Sequence, residues 1–130
     1  MRRRSWWTRW LGDRGERAAA RHLRRQGMRV WARGYRIAQG EVDLIARDGP
    51  TVVFVEVKSR QAGTPAEAVT PGKQRRLTLA ALHFLRKHGL LEARARFDVI
   101  SILWPEGSRS PTVEHIRDAF PAVGHGQMFR

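Results

Sequence analysis

The chain contains no cysteine, and this absence excludes disulfide bridges, thiolate zinc sites and thiol nucleophiles. No apolar run approaches the roughly 18 to 20 residues that a membrane-spanning helix needs. Residues 1–11 also lack the continuous apolar core of a secretory signal. We therefore expect a cytoplasmic protein without a membrane span.

Acidic residues are few, since 12 Asp and Glu face 25 Lys and Arg in 130 residues, which gives a formal charge of +13. This charge indicates a polyanionic partner, either nucleic acid or an anionic membrane surface. Lysine is scarce too, because only Lys58, Lys73 and Lys87 are present. Lysine is a compact point charge whose pKa moves on burial. The three lysines are therefore stronger candidates for a chemical role than the arginines are.

The pattern along the chain predicts a mixed α/β fold with one domain over residues 13–120. Asp13 and Glu16 form a capping-box pair before an apolar stripe, and Thr70-Pro71 is typical of a helix start. The predicted elements are, in order, a helix at about 13–26, strands at 28–37, 40–46 and 52–58, a helix from 71 to the stop at Gly89, and strands at 96–104 and 112–117. The order α-β-β-β-α-β-β describes a central mixed sheet flanked by helices. We expect a flexible, basic, Trp-rich leader at 1–12 and a flexible tail at 121–130.

Charged residues interrupt two apolar strands that are joined by an Asp-Gly turn, which indicates an antiparallel hairpin. Asp43 then lies on one strand and Glu56 on its neighbour, while Glu56 and Lys58 share a face because strand side chains alternate. Burying such groups costs several kcal/mol per ion unless they are paired or functional. The hairpin is therefore the strongest candidate site in the sequence.

Two carboxylates and a lysine suit the hydrolysis of phosphodiester bonds with a divalent metal ion. Carboxylates of Asp43 and Glu56 are the hard oxygen ligands that Mg²⁺ or Mn²⁺ takes, together with waters and phosphate oxygens. The backbone carbonyl of Val57 offers another oxygen. Lys58, on the same face as Glu56, would orient the attacking water and stabilise the developing charge.

Five separated segments resemble the YraN family: GEVDLIARDG at 40–49, VFVEVKSR at 53–60, TPGKQRRL at 70–77, RFDVISI at 96–102 and IRDAF at 116–120. The likeness covers about Gly15 to Phe120. Members of that family are similar to restriction-endonuclease-like PD-(D/E)XK nucleases and to archaeal Holliday junction resolvases. The resemblance implies a restriction-endonuclease-like core and an endonuclease that uses Mg²⁺ or Mn²⁺ on DNA, with branched or damaged DNA as a candidate substrate.

The resemblance also assigns roles to single residues. It implies that Asp43 and Glu56 bind the metal, that Lys58 is the catalytic lysine, and that Glu16 is a further ligand or ligand support. The residues expected to support the site or to lie near nucleic acid are Glu41, Lys73, Gln74, Arg60, Arg75 and Arg76. Asp98 fits the RFD motif, but no chemistry for it follows from the sequence. The five histidines show no ligand spacing, and we predict no zinc site.

Several alternatives stay open at this point. Glu16 is equally well explained as a capping-box partner, and the hairpin charges could be a salt-bridge cluster on a solvated sheet face. The leader could stack on bases, lie at a membrane interface or be disordered. A non-catalytic nucleic-acid-binding accessory on a nuclease fold is the second functional class. A homodimer and partners in recombination or DNA processing are also compatible with the sequence.

Overall fold

The computed structural model describes residues 6–63, 68–107 and 110–123, with the backbone alone at 6–11. The elements are α1 (Trp6–Arg25), β1 (Arg29–Ile37), β2 (Gly40–Asp48), β3 (Thr51–Gln61), α2 (Pro71–Lys87), β4 (Arg94–Trp104) and β5 (Thr112–Phe120). The predicted fold class and the order α-β-β-β-α-β-β are confirmed. No helix in these residues is long and apolar enough to cross a membrane.

The first helix begins earlier than predicted. α1 starts at Trp6, so the predicted start at residue 13 is wrong and the supposed leader overlaps the helix over residues 6–12. Asp13 is not a cap but lies inside the helix, where its carboxylate is 3.6 Å from Arg17 and 4.0 Å from Arg33. The capping-box explanation of Glu16 therefore fails. Residues 1–5 lie outside the described residues.

The sheet has the strand order β1-β2-β3-β4-β5. The pairs β1–β2, β2–β3 and β4–β5 are antiparallel, whereas β3 and β4 run parallel. A parallel pair needs a crossover, which α2 supplies. Thr70 caps α2 by accepting a hydrogen bond from the Lys73 backbone N–H at 3.2 Å, as predicted from Thr70-Pro71. The arrangement is consistent with a restriction-endonuclease-like core.

Each face of the sheet carries its own hydrophobic core under one helix. Phe54 and Phe97 pack against α2 through Leu77, Phe84 and their neighbours. On the opposite face, Val55 and Ile100 belong to the core that includes Leu23 of α1. Along β3, even-numbered side chains therefore face α2 and odd-numbered ones face α1. This alternation places Glu56 and Lys58 on the α2 face.

The residues after β5 pack against α2. Ala122 is buried in the core below α2, and the Val123 N–H donates a hydrogen bond of 3.1 Å to Oγ1 of Thr78. Residues 122 and 123 therefore have packing partners on α2, and the flexibility of the tail stays a prediction. Residues 124–130 lie outside the described residues.

Gly40 lets the start of β2 approach the second turn of α2. A Cβ built at Gly40 would overlap the backbone carbonyl oxygen of Arg76, whereas one at Gly72 would meet open space. Backbone atoms cannot rotate away as a side chain can. The absence of a side chain at Gly40 therefore fixes how closely α2 sits over the hairpin.

We expect Gly40→Ala to lower the free energy of unfolding by about 1–3 kcal/mol, since the added methyl group forces backbone shifts. Urea denaturation measures this loss. Gly72→Ala is the matched control, because alanine favours a helix and fits at that position. Equal stability of the two variants would contradict the close packing at Gly40.

Candidate active site

Asp43 lies where β2 and β3 separate. The paired register of these strands ends at Leu44 and Val55. Beyond that point the Asp43 carboxylate accepts a hydrogen bond of 2.8 Å from the Val57 backbone N–H. The Asp43 side chain thus takes the place of a backbone hydrogen bond between β2 and β3, and this bond holds it in the gap between the strands.

Glu56 and Lys58 project from β3 on the α2 face, as the alternation in the sequence predicts. Lys58 Nζ lies 4.0 Å from Oε1 of Glu56, and their side chains are only 15% and 11% exposed. The Asp43 carboxyl group also lies close enough to Glu56 to raise its pKa. The predicted convergence of the three residues is confirmed, and the low exposure rules out a cluster on a solvated face.

Lys73 reaches the same cluster from the first turn of α2. Its Nζ lies 3.5 Å from Oε1 of Glu56, the same oxygen that Lys58 approaches. Burial lowers the pKa of Lys73, but hydrogen bonding within the cluster and the attraction of Glu56 and Asp43 raise it overall. Lys73 was predicted near the substrate backbone, and its contact with Glu56 is an addition that the sequence did not reveal.

Glu56 is a carboxyl group that its surroundings keep from ionising easily. Burial and the adjacent Asp43 carboxylate raise the pKa of Glu56 to about 7, against the attraction of Lys73 and Lys58. Two carboxyl groups this close share a proton unless a cation lies between them. The local electrostatics therefore favour an added positive charge.

The pKa of Glu56 predicts a pH-dependent effect of Glu56→Gln on stability. The folded protein retains a proton on Glu56 up to about pH 7, whereas the unfolded chain releases it near pH 4.5. The contribution of Glu56 to the free energy of unfolding is therefore fully present below about pH 4.5 and is lost as the pH rises towards 7. In EDTA at pH 8 we expect Glu56→Gln to be more stable than the parent by about 1–3 kcal/mol, with no gain near pH 4.5.

Urea denaturation at the two pH values measures this difference. Glu41→Gln is the control, because Glu41 forms an exposed ion pair with Arg36 and should change stability by less than about 1 kcal/mol at either pH. A Glu56→Gln protein less stable than the parent at pH 8 would contradict the inferred cost of the buried charge.

The oxygen donors in the gap fit a small divalent ion. Mg²⁺ is commonly held by one or two carboxylates, with waters and substrate phosphates completing its shell, and Asp43 and Glu56 supply two. The Val57 carbonyl faces the same gap as its N–H, because both groups of a strand residue point to one edge. Across the described ranges, no three His, Asp or Glu side chains are grouped as ligands of one ion. Within these ranges, therefore, a third carboxylate is not brought to this place.

Glu16 lies on the other face of the sheet from Glu56 and Lys58. It is half-buried on α1, on the helix stripe that continues through Ala20 and Leu23 into the core. Its neighbour Gly15 lies directly over β3, because a Cβ there would be 2.8 Å from the Cβ of Ser59. This places Glu16 above the end of β3, and its role as a ligand stays a prediction.

The other predicted residues are spread around the cluster. Glu41 accepts hydrogen bonds from Arg36 across the β1–β2 hairpin, at 2.9 and 3.0 Å. The Gln74 side chain donates to the Val69 carbonyl at 3.0 Å, so it closes the loop before α2. Arg75 and Arg76 are exposed on the first turns of α2, while Arg60 is half-buried near the end of β3. Their contact with nucleic acid stays a prediction.

A second polar cluster, which the sequence did not reveal, surrounds Asp98. This fully buried carboxylate accepts hydrogen bonds from Arg96 at 2.9 Å, from His115 at 2.7 Å and from the Asp118 backbone N–H at 3.0 Å. His115 in turn hydrogen-bonds His22 of α1 at 3.0 Å. Two of the five histidines therefore join α1 to the edge of the sheet, a contact that the histidine spacing in the sequence did not indicate. The signal was an acid within the apolar strand RFDVISI, the same signal that marked the hairpin.

Burial lowers the pKa of His22, and the neighbouring His115, Arg117 and Arg25 lower it further. A neutral ring at this position can share a hydrogen bond with His115.

Asp48, the last residue of β2, pairs with Arg96 at 3.0 Å as well. The Asp98 cluster therefore ties together α1, β2, β4 and β5 and is a structural unit, separate from the hairpin site.

Comparison with known proteins gives a consistent set of relatives. The chain matches the model described as "Uncharacterised protein family UPF0102" over residues 15–102. It is 50% identical to a UPF0102 protein of Rhodococcus opacus (strain B4) over 113 residues, which cover 85% of this chain and 95% of that protein. A UPF0102 protein of Geobacter sulfurreducens is 50% identical over 115 residues, covering 85% of this chain and 88% of that one. The matched region contains the whole hairpin site.

Proposed function

The chain belongs to the family UPF0102, as its likeness to YraN proteins predicted, and on that premise we propose that it is a metal-dependent endonuclease acting on DNA. The observation that carries the proposal is the meeting of Asp43, Glu56 and Lys58 where β2 and β3 separate. Two acids and a lysine held together in one gap match the chemistry of phosphodiester hydrolysis.

Asp43 and Glu56 would hold the ion, with the Val57 carbonyl beside them. When bound, a divalent ion lowers the pKa of a coordinated water and offsets the charge of the phosphate. The hydrogen bond from Val57 fixes the Asp43 carboxylate before any ligand arrives. A group that is already in place stabilises the transition state more than one that must be ordered during the reaction.

Lys58 supplies a positive charge that stays in place. Its side chain is largely buried and lies beside Glu56, so it cannot leave the gap without losing this contact. An ammonium group held there stabilises the charge that develops on a phosphate oxygen and positions the attacking water by a hydrogen bond. Its surroundings also exclude much of the solvent, which strengthens the interaction.

DNA is the polyanion that the proposal assigns as substrate. The formal charge of +13 favours contact with phosphates, and Arg75 and Arg76 are exposed beside the site on the first turns of α2. Counterion release makes such binding weaken steeply with salt. Affinity that does not change between 50 and 200 mM salt would argue against nucleic acid.

The experiment that tests the proposal is a cleavage assay with purified protein and Mn²⁺ or Mg²⁺ on single-stranded, duplex, flapped and four-way DNA. We expect cleavage of at least one substrate, and none in EDTA. Tight binding to all four DNAs without cleavage would favour the non-catalytic accessory instead. In that case the acidic gap would have no catalytic part in the protein.

A further inference from the structure

We propose that Lys73 is an internal counter-ion for Glu56, which gives up this carboxylate when a metal ion binds and then contacts a substrate phosphate. The inference rests on the proposed function and adds a coupling between metal and DNA. Its starting point is that two ammonium groups approach one oxygen: Lys58 Nζ at 4.0 Å and Lys73 Nζ at 3.5 Å from Oε1 of Glu56.

Lys73 contacts the carboxylate that a metal ion would use. Oε1 of Glu56 is the oxygen on which both lysines converge, and the carboxyl group of Asp43 lies beside it. A metal ion held by Glu56 and Asp43 adds two positive charges at this place. Two cations so close repel each other strongly in a partly buried site, so one ammonium group must move.

Exposure decides which lysine moves. The Lys58 side chain is 15% exposed and surrounded by the sheet, whereas the Lys73 side chain is 48% exposed. Lys73 can therefore turn into solvent or towards a ligand at little cost, and Lys58 cannot. The Lys73 backbone stays in place because its N–H is bound by the Thr70 cap.

The position of Lys73 on α2 favours an anion as its next partner. It lies in the first turn of the helix, where the helix dipole disfavours a cation, so a neighbouring anion stabilises its charge. At pH 8, where Glu56 is ionised, it is that anion. Once a metal neutralises Glu56, a phosphate in front of the first turn of α2 is the group that can replace it, with Arg75 and Arg76 on the same turns.

The first test measures Mn²⁺ binding by calorimetry on the DNA-free protein at pH 8. We expect Lys73→Met to bind Mn²⁺ about 3- to 30-fold more tightly than the parent, since the competing ammonium is gone. The gain should persist at about 0.5 M salt, where charges farther apart than a few ångströms are screened. Lys87→Met, at the far end of α2, is the same substitution and should leave the affinity unchanged.

The second test uses a fluorescent 20-base-pair duplex at pH 8 in EDTA, where Glu56 is ionised and no metal takes part. Glu56→Gln removes the anion that holds Lys73, so we expect about 3- to 10-fold tighter DNA binding than in the parent. In a Lys73→Met background the same Glu56→Gln change should give less than a twofold gain. This double-mutant comparison isolates the pair from a general effect of charge.

The outcomes separate this inference from the proposed function. Equal Mn²⁺ affinity of Lys73→Met and the parent, with both folded, overturns the role of Lys73 and leaves the metal site intact. A gain from Glu56→Gln that is the same with and without Lys73 overturns it as well. Absence of Mn²⁺ binding in the parent and in Lys73→Met overturns the metal-dependent function itself, and the inference with it.

Discussion

Replacing Asp43 by asparagine is expected to lower metal-dependent DNA cleavage by at least about 10³-fold, which corresponds to about 4 kcal/mol of transition-state stabilisation. The substitution removes one of the two carboxylates that would hold the ion. It keeps an oxygen that can accept the Val57 N–H, so the hairpin should fold as before. Initial cleavage rates with Mn²⁺, measured beside the thermal unfolding midpoint, separate the two effects.

Asp13→Asn is the matched control for this substitution. Asp13 carries the same side chain, but it is 61% exposed on α1 and its ion pairs with Arg17 and Arg33 are long. We expect the cleavage rate of this variant to stay within about twofold of the parent, because surface pairs contribute little. An Asp43→Asn protein that is folded and cleaves as fast as Asp13→Asn would remove Asp43 from the mechanism.

Replacing Asp98 by asparagine is expected to destabilise the fold by about 3–5 kcal/mol, the usual cost of removing one partner of a buried ionic cluster. Asp98 is fully buried and accepts hydrogen bonds from Arg96, His115 and the Asp118 backbone. Asparagine has one acceptor oxygen where the carboxylate has two. Its NH₂ group is a donor and would face one of the N–H groups that now donate to Asp98. The Arg96 charge is then left without its nearest anion.

Urea denaturation at pH 7 measures this loss, and Asp13→Asn again provides the comparison, with an expected change below about 1 kcal/mol. The difference between the two variants isolates the effect of burial, since the chemical change is the same. A loss at Asp98→Asn as small as that at Asp13→Asn would show that the Asp98 cluster is not a main source of stability.

The hairpin was predictable because its signals are local. Alternation along β2 and β3 and the Asp-Gly turn fixed the strands, and the same alternation put Glu56 and Lys58 on one face. α2 was predictable for a similar reason, since Thr70-Pro71 and the Gly89 stop both act within one helical turn. In these elements the sequence neighbours are also the spatial neighbours.

The start of α1 was not predictable from the same kind of rule. Gly12, Asp13 and Gly15 are typical of a helix boundary, because glycine costs about 1 kcal/mol in a helix interior. Here Gly15 is required for packing instead, since a Cβ would collide with Ser59 on β3. Contacts between segments distant in the sequence therefore determine where α1 begins, and local helix propensity does not reveal such contacts.

The same limit explains why Lys73 and His115 were incompletely assigned. Lys73 meets Glu56 only because the crossover brings the first turn of α2 over the middle of β3. His115 meets Asp98 and His22 only once β5 pairs with β4 against α1. Both contacts depend on the topology of the sheet, which no short sequence motif encodes.

The close approach of Gly40 to Arg76 determines what kind of motion the site can use. With the backbone of β2 against the backbone of α2 and Thr70 capping the helix, the start of α2 cannot move closer to the hairpin. The Lys73 side chain is 48% exposed, so a change of its partner takes only rotation about side-chain bonds. Such rotations of exposed groups take picoseconds to nanoseconds, whereas helix and domain movements take microseconds or longer. We therefore expect Lys73 to change partners faster than ligands bind or leave, so that its movement does not limit the rate of either step.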